Sequence, residues 1–140
     1  MTAGLRLEQV RDCMEGVLPA VIATSTADGT PNVTYLSKVV YVDAEHVALS
    51  NQFFSKTVAN LRDNPQAQIT LLQPKTCRQL RLDARFVRSE DSGELFEQLR
   101  AEIDAIASLM GMQDVFRLRS VEVFRVLSAD FIASDVDAAP

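Results

Sequence analysis

Ser55, Lys56 and Thr57 are consecutive residues that can each direct a donor at an anion, and helical spacing begins on them. At a helix start, unpaired backbone N–H groups, the positive end of the helix dipole and a lysine ammonium would converge on one charge. A phosphate cradle is the chemistry these residue types allow; an ordinary capped surface helix with a solvated lysine has the same composition. The rest of the chain is poor in reactive side chains. His46 is the single histidine, in the turn Asp43-Ala44-Glu45-His46, and reads as an exposed turn residue. The two cysteines, Cys13 and Cys77, lie far apart with no C-x-x-C spacing and read as free thiols. A catalytic triad or an all-protein zinc site needs more than this, so no metal site is expected and no side chain is assigned a catalytic role.

The elements that would position the cradle flank it. Residues 47–51 alternate as a strand, Gln52-Phe53-Phe54 turn the chain, and Ser55 stands at the N-cap of a helix carrying Val58 and Leu61. Asn64-Pro65 stops that helix. Upstream, residues 5–17 have the spacing of an amphipathic helix on Leu7, Val10, Met14 and Val17, ended by Pro19. A strand over 20–26 meets the turn signal Asp28-Gly29 and pairs as a hairpin with a long strand over 32–42. The alternation of that long strand breaks midway, which points to a bulge or a barrel corner. Downstream come strands over 66–73 and 79–89. A helix then opens on the capping box Asp91-Ser92-Gly93-Glu94, with a stripe of Leu95, Leu99, Ile103, Ile106 and Met110 that ends at Gly111. A last strand spans 120–130, with apolar residues on both faces.

A chain of 140 residues with 47% apolar and 24% charged residues is the size and composition of one globular domain, placed at 1–132. The acidic segment 133–140 reads as a frayed tail or the start of a linker. A net charge of −5 leaves no basic stripe for nucleic acid, and no run is long and apolar enough to span a bilayer. The N-terminus lacks a signal-peptide core, so a cytoplasmic location is expected. Six strands joined mostly by short turns, with helices at three places, predict an antiparallel α+β domain built on a small closed or partly open barrel.

This element order, over about residues 18–129, resembles the pyridoxamine 5′-phosphate oxidase-like family of FMN-binding split β-barrels. The resemblance implies a six-stranded Greek-key split barrel with flanking helices. Its strongest piece is SN-x-x-x-SKTVANLRDNP: it implies that Ser55 and Lys56 bind the flavin phosphate, with Thr57 where the family often has a second basic residue. Leu49, Ser50 and Asn51, leading into that motif, would approach the cofactor. Val33, Thr34, Tyr35, Leu36, Ser37 and Lys38 would lie along the flavin ring, and Gln79 of the pair Arg78-Gln79 would contact it. Lys38 either tunes the flavin or is solvated or ion-paired.

The substrate-phosphate set of true pyridoxamine phosphate oxidases is replaced here by the acidic segment SGELFEQLRAEIDA, and their C-terminal Trp and Arg signature by VEVFRVLSAD. Vitamin B6 chemistry is therefore not expected. The resemblance implies a homodimer with flavin sites at the subunit interface, passing hydride through flavin N5 to or from an unidentified small substrate. A non-catalytic flavin- or ligand-binding sensory module, linked through the tail to a signalling domain, is the alternative. Deazaflavin could replace FMN. Haem is disfavoured because His46 lies away from the matched site.

Overall fold

The computed structural model describes residues 4–15, 18–36, 38–52 and 55–132. Seven strands form one antiparallel sheet: β1 Ala20–Ser25, β2 Pro31–Leu36, β3 Val39–Asp43, β4 His46–Asn51, β5 Gln66–Leu72, β6 Gln79–Glu90 and β7 Ser120–Phe131. Their spatial order is β2-β1-β5-β6-β7-β4-β3. The sheet therefore ends on two edges, β2 and β3: of the closed and partly open forms expected, the open one is found, with seven strands in place of six. The extra strand comes from 32–42, which is two strands with different partners: β2 pairs with β1, whereas β3 pairs with β4. A change of pairing partner, seen in sequence as broken alternation, is the cause.

The hairpin at Asp28-Gly29 forms as expected, with Gly29 at φ 91°, a conformation L side chains rarely adopt. Thr26 Oγ1 accepts from Thr30 N–H at 3.0 Å inside the turn. Alternating residues of five strands then fill the interior: Ile22, Ile69, Leu82, Phe124 and Leu49 are all fully buried. Phe86 meets Phe124 edge-on, with ring centroids 5.6 Å apart. The segment expected as an amphipathic helix is a 3₁₀ helix, Leu7–Met14, kinked at Val10. It buries Leu7, Val10, Cys13 and Met14 against the barrel. Val17 lies outside the described residues.

Helix α1 spans Ser55–Asp63 and α2 spans Glu94–Met110. The capping box predicted for α2 does not form. Gly93 is the N-cap at φ 99°, with no side-chain cap, so Asp91 and Ser92 lie ahead of the helix. Gly111 closes α2 in the left-handed conformation at φ 67°, as its sequence position implies. The apolar stripe packs only in part. Leu99 and Ile103 are buried, Leu99 over Val40, Ala48, Val121 and Val123, but Met110 is 62% exposed beyond the sheet. Strand β7 is thus covered on both faces, by α2 on one and the barrel interior on the other.

Candidate functional site

Ser55, read as the N-cap, is the first helical residue of α1; residues 53 and 54 lie outside the described set. Ser55 and Lys56 are exposed, whereas Thr57 is buried. Thr57 Oγ1 accepts from Asn32 Nδ2 of β2 at 3.3 Å. Asn60 Nδ2 donates to Thr24 Oγ1 of β1 at 3.2 Å, and Asn64 Nδ2 to Ser25 Oγ at 2.9 Å. Leu61 enters the core alongside. Three asparagine amides therefore fasten α1 across the end of the β1–β2 hairpin, and its positive end comes out beside strand β2 with a hydroxyl and an ammonium facing solvent. Sequence reasoning used Asn64 only as the helix stop and passed over Asn32 and Asn60. Their signal was the i, i+4 pair Asn60 and Asn64 on one helix face.

Strand β2 is an edge of the sheet. Val33 is 64% and Tyr35 75% exposed, whereas Leu36 is buried and Thr34 partly so. Ser37 lies outside the described residues. Lys38 reaches the other way: its Nζ donates to the Met14 carbonyl at 2.8 Å, at the end of the 3₁₀ helix. Its backbone is stitched to Ser50, Lys38 N–H donating to Ser50 Oγ at 3.1 Å and Ser50 N–H to Lys38 O at 3.0 Å. Ser50 and Leu49 are buried, Leu49 within the barrel core.

Asn51 belongs to a buried polar knot that the sequence reading missed. Its Nδ2 donates to Ser120 Oγ at 2.9 Å and lies 3.4 Å from Glu122 Oε1. Glu122 is 2% exposed, and its Oε1 also accepts from Ser120 Oγ at 2.6 Å and Ser89 Oγ at 3.0 Å. The carboxylate thus ties the end of β4 to β6 and β7 where the chain turns toward α1. Gln79 is not brought to this region. It is an exposed residue opposite Leu72, at the end of the β5–β6 pair away from Gln66 and α1.

His46 opens β4 and is partly buried, not an exposed turn residue. Its Nδ1 lies 2.8 Å from Asp43 Oδ1. The Glu45 backbone N–H, and next His46, hold the Asp43 carboxyl below its usual range. Burial, with Asp12 beside it, pushes the Cys13 thiol up to about 11; Cys77 is exposed, and both are free. Among the described residues no group of three or more His, Cys, Asp or Glu could hold a metal ion. No described helix is long and apolar enough to cross a membrane.

The outer face of the sheet is covered unevenly. Helix α2 shields β7, β4 and β3, but no described element shields β2, β1, β5 and β6. A shallow groove of about 310 Å³ crosses that bare face between β1, β5 and β6.

A curled antiparallel sheet with a short helix laid across its first hairpin and a longer helix on one flank defines an α+β split-barrel protein. A family model described as pyridoxamine 5′-phosphate oxidase matches residues 7–127, and the chain belongs to that family of split barrels. The fold is similar to that of an FMN-binding protein from Syntrophomonas wolfei subsp. wolfei (TM-score 0.75, 16% identity, covering 91% of this chain and 86% of that one). It is also similar to HutZ, a haem storage protein from Vibrio cholerae (TM-score 0.60, 22% identity, covering 95% and 99%). At these identities the likeness is one of fold. An uncharacterized protein of Methanocaldococcus jannaschii is 37% identical over 51 residues, 35% of this chain; the match spans about a third (34%) of that protein's length.

Proposed function

We propose that this protein binds FMN and serves as a flavin-dependent oxidoreductase acting on a small substrate. The observation that carries this reading is the exposed Ser55 and Lys56 at the positive end of a helix fastened beside an open strand edge. In this reading the flavin phosphate sits on Ser55, Lys56 and the first N–H groups of α1, with the Thr57 hydroxyl hydrogen behind them. The ring lies along Val33, Thr34, Tyr35 and Leu36, where the outward N–H and C=O groups of an edge strand suit its polar rim, and continues toward Ser37 and Lys38, the latter fixed through its backbone to Ser50. Leu49, Ser50 and Asn51 hold that strand and the helix start in register.

Gln79 lies too far from α1 to join the site within one chain, so the site is completed by a second copy. A homodimer built on the bare face would bring one copy's Gln79 to the other's helix. FMN supplies the hydride chemistry at N5 when bound, while the protein binds, orients and shields it. No side-chain acid or base is needed for that step.

The test is the absorption spectrum of purified protein before and after FMN addition and desalting. A two-band flavin spectrum that survives desalting, and falls at least tenfold in retained FMN in Lys56→Ala, supports the reading. A colourless protein that keeps no FMN overturns it. Retention of deazaflavin alone, or a Soret band after haem addition, would replace the cofactor. Tightly held FMN that no electron donor reduces would favour the sensory module.

A further inference from the structure

We propose that a polar cavity at the β3 edge, lined by Arg11, Glu15, Lys38, Gln98 and Glu102, binds a small zwitterion of the α-amino acid type. Strand β3 ends the sheet at the opposite edge from β2 and pairs with no further described strand. The 3₁₀ helix packs beside it and α2 lies over Val40, leaving a cavity of about 180 Å³ between them. That volume is below the roughly 300–1,000 Å³ of drug-sized sites, so the cavity takes a small molecule and not a flavin. None of its lining residues belongs to α1 or to the β1–β5–β6 face, so a dimer built on that face leaves it open.

Charge selects the ligand. Arg11 and Lys38 stand against Glu15 and Glu102, two cations to two carboxylates, so the walls favour neither a lone anion nor a lone cation. Glu102 is the residue that calls for a donor. Its side chain is partly buried, and its Oε2, shut from solvent, has no hydrogen-bond partner among the described residues. That is a costly state for a carboxylate oxygen. A turn about the soft terminal torsion of the side chain brings this oxygen to the cavity, where an ammonium group would satisfy it. Gln98, one helical turn earlier on the same face of α2, adds an amide. Both residues come from the acidic segment SGELFEQLRAEIDA, which the flavin reading does not use. On the 3₁₀ helix, the Arg11 guanidinium lies over the Tyr41 ring, 4.2 Å from its centroid. The contact holds a planar fork that suits a carboxylate. Lys38, whose Nζ donates to the Met14 carbonyl, adds positive charge beside the same helix. An ammonium at Glu102 and a carboxylate at Arg11 are the two ends of an α-amino acid. The buried Met14 and Val40 supply the apolar part of the wall, which suits a short aliphatic side chain.

Calorimetric titration of the full chain at constant pH and ionic strength tests this, with L-alanine, propionate and ethylamine as probes. L-Alanine is expected to bind at least tenfold tighter than either analogue, since each lacks one of the two charged ends. Glu102→Gln and Arg11→Gln should each weaken L-alanine at least tenfold with an unchanged thermal midpoint. Both variants should retain FMN as the wild-type protein does, and Lys56→Ala should leave L-alanine binding intact. No binding of L-alanine, equal binding of propionate or ethylamine, or unchanged affinity in either variant overturns the proposal. Loss of FMN together with L-alanine in Glu102→Gln would make the two sites one and overturns it as well. Because neither Arg11 nor Glu102 is assigned to the flavin, failure here is distinguishable from failure of FMN binding.

Discussion

Glu122 is where a single side chain does most to join the elements. Its carboxylate oxygen gathers Ser89, Ser120 and Asn51 from three strands with almost no solvent contact. Removing it takes an acceptor from the buried Asn51 and the half-buried Ser120, while the exposed Ser89 can turn to water, a cost of about 2 kcal/mol by the general price of breaking a buried polar network. Glu122→Ala should therefore lower the urea midpoint sharply, while Glu122→Gln, which keeps an acceptor oxygen in place, should lose about 1 kcal/mol. Equal losses in the two variants would show that packing, not acceptance, is what Glu122 supplies. Cys13 yields a prediction in pH. Its folded-state value of about 11 lies above the 9.0 of an unperturbed thiol, so the folded state resists ionisation that the unfolded chain undergoes. The stability tied to the neutral thiol is present below about pH 9 and is lost as pH rises toward about 11. Cys13→Ser should flatten the alkaline limb of the stability curve. Native protein at pH 8 should be alkylated at the exposed Cys77 alone.

At the scale of elements, α1 depends on amides more than on apolar burial. Leu61 is its deepest apolar residue, and Asn60, also buried, is bonded to Thr24 across the interface. Asn60→Ala leaves the Thr24 hydroxyl without that donor and should loosen α1, at about 1–2 kcal/mol, seen as faster amide exchange confined to residues 55–63. The turn before β4 behaves differently with pH. The Asp43 carboxyl is held below its usual range by the Glu45 N–H and by His46, so its contribution is present above the unfolded value of 3.8 and disappears as pH falls through the folded one. The group is exposed, so Asp43→Asn should remove less than about 1 kcal/mol, visible only on the acid limb. Much of this element plan was legible in sequence. Alternation located β4, β5 and β6, β-rich composition located β1 and β7, Asp28-Gly29 located the first hairpin, and Asn64-Pro65 located the end of α1. What was not legible depended on partners distant in the chain. The break in 32–42 is an exchange of pairing from β1 to β4, which periodicity registers only as irregularity. The Asp91 capping box lost to a glycine whose positive φ lets the chain enter α2 without a side-chain cap. Glu122 looked like any outward residue of an alternating strand, because its three donors come from positions 51, 89 and 120.

At the scale of the whole molecule, coverage of the sheet is lopsided, and the proposed homodimer rests on that asymmetry. One flank of the outer face is sealed by Leu99 and Ile103 of α2, while the other ends in Val33 and Tyr35, 64% and 75% exposed on an unpaired edge strand. Apolar side chains on an open edge are a template for another chain unless a defined partner covers them. The proposed two-fold dimer would cover them with the same surface on both copies and add no further edge. If the flavin lies at that seam, assembly and cofactor binding are one equilibrium, and retained FMN should fall on dilution through the dimer dissociation constant. Replacing Val33 and Tyr35 with lysine should give a folded monomer by light scattering, since neither side chain is part of the core, and should cost at least tenfold in FMN affinity with Lys56 untouched. A double variant that remains dimeric would move the interface elsewhere on the sheet. A monomer that still holds FMN as tightly as the wild-type protein would mean that one chain suffices for the site, and Gln79 would then have no part in it.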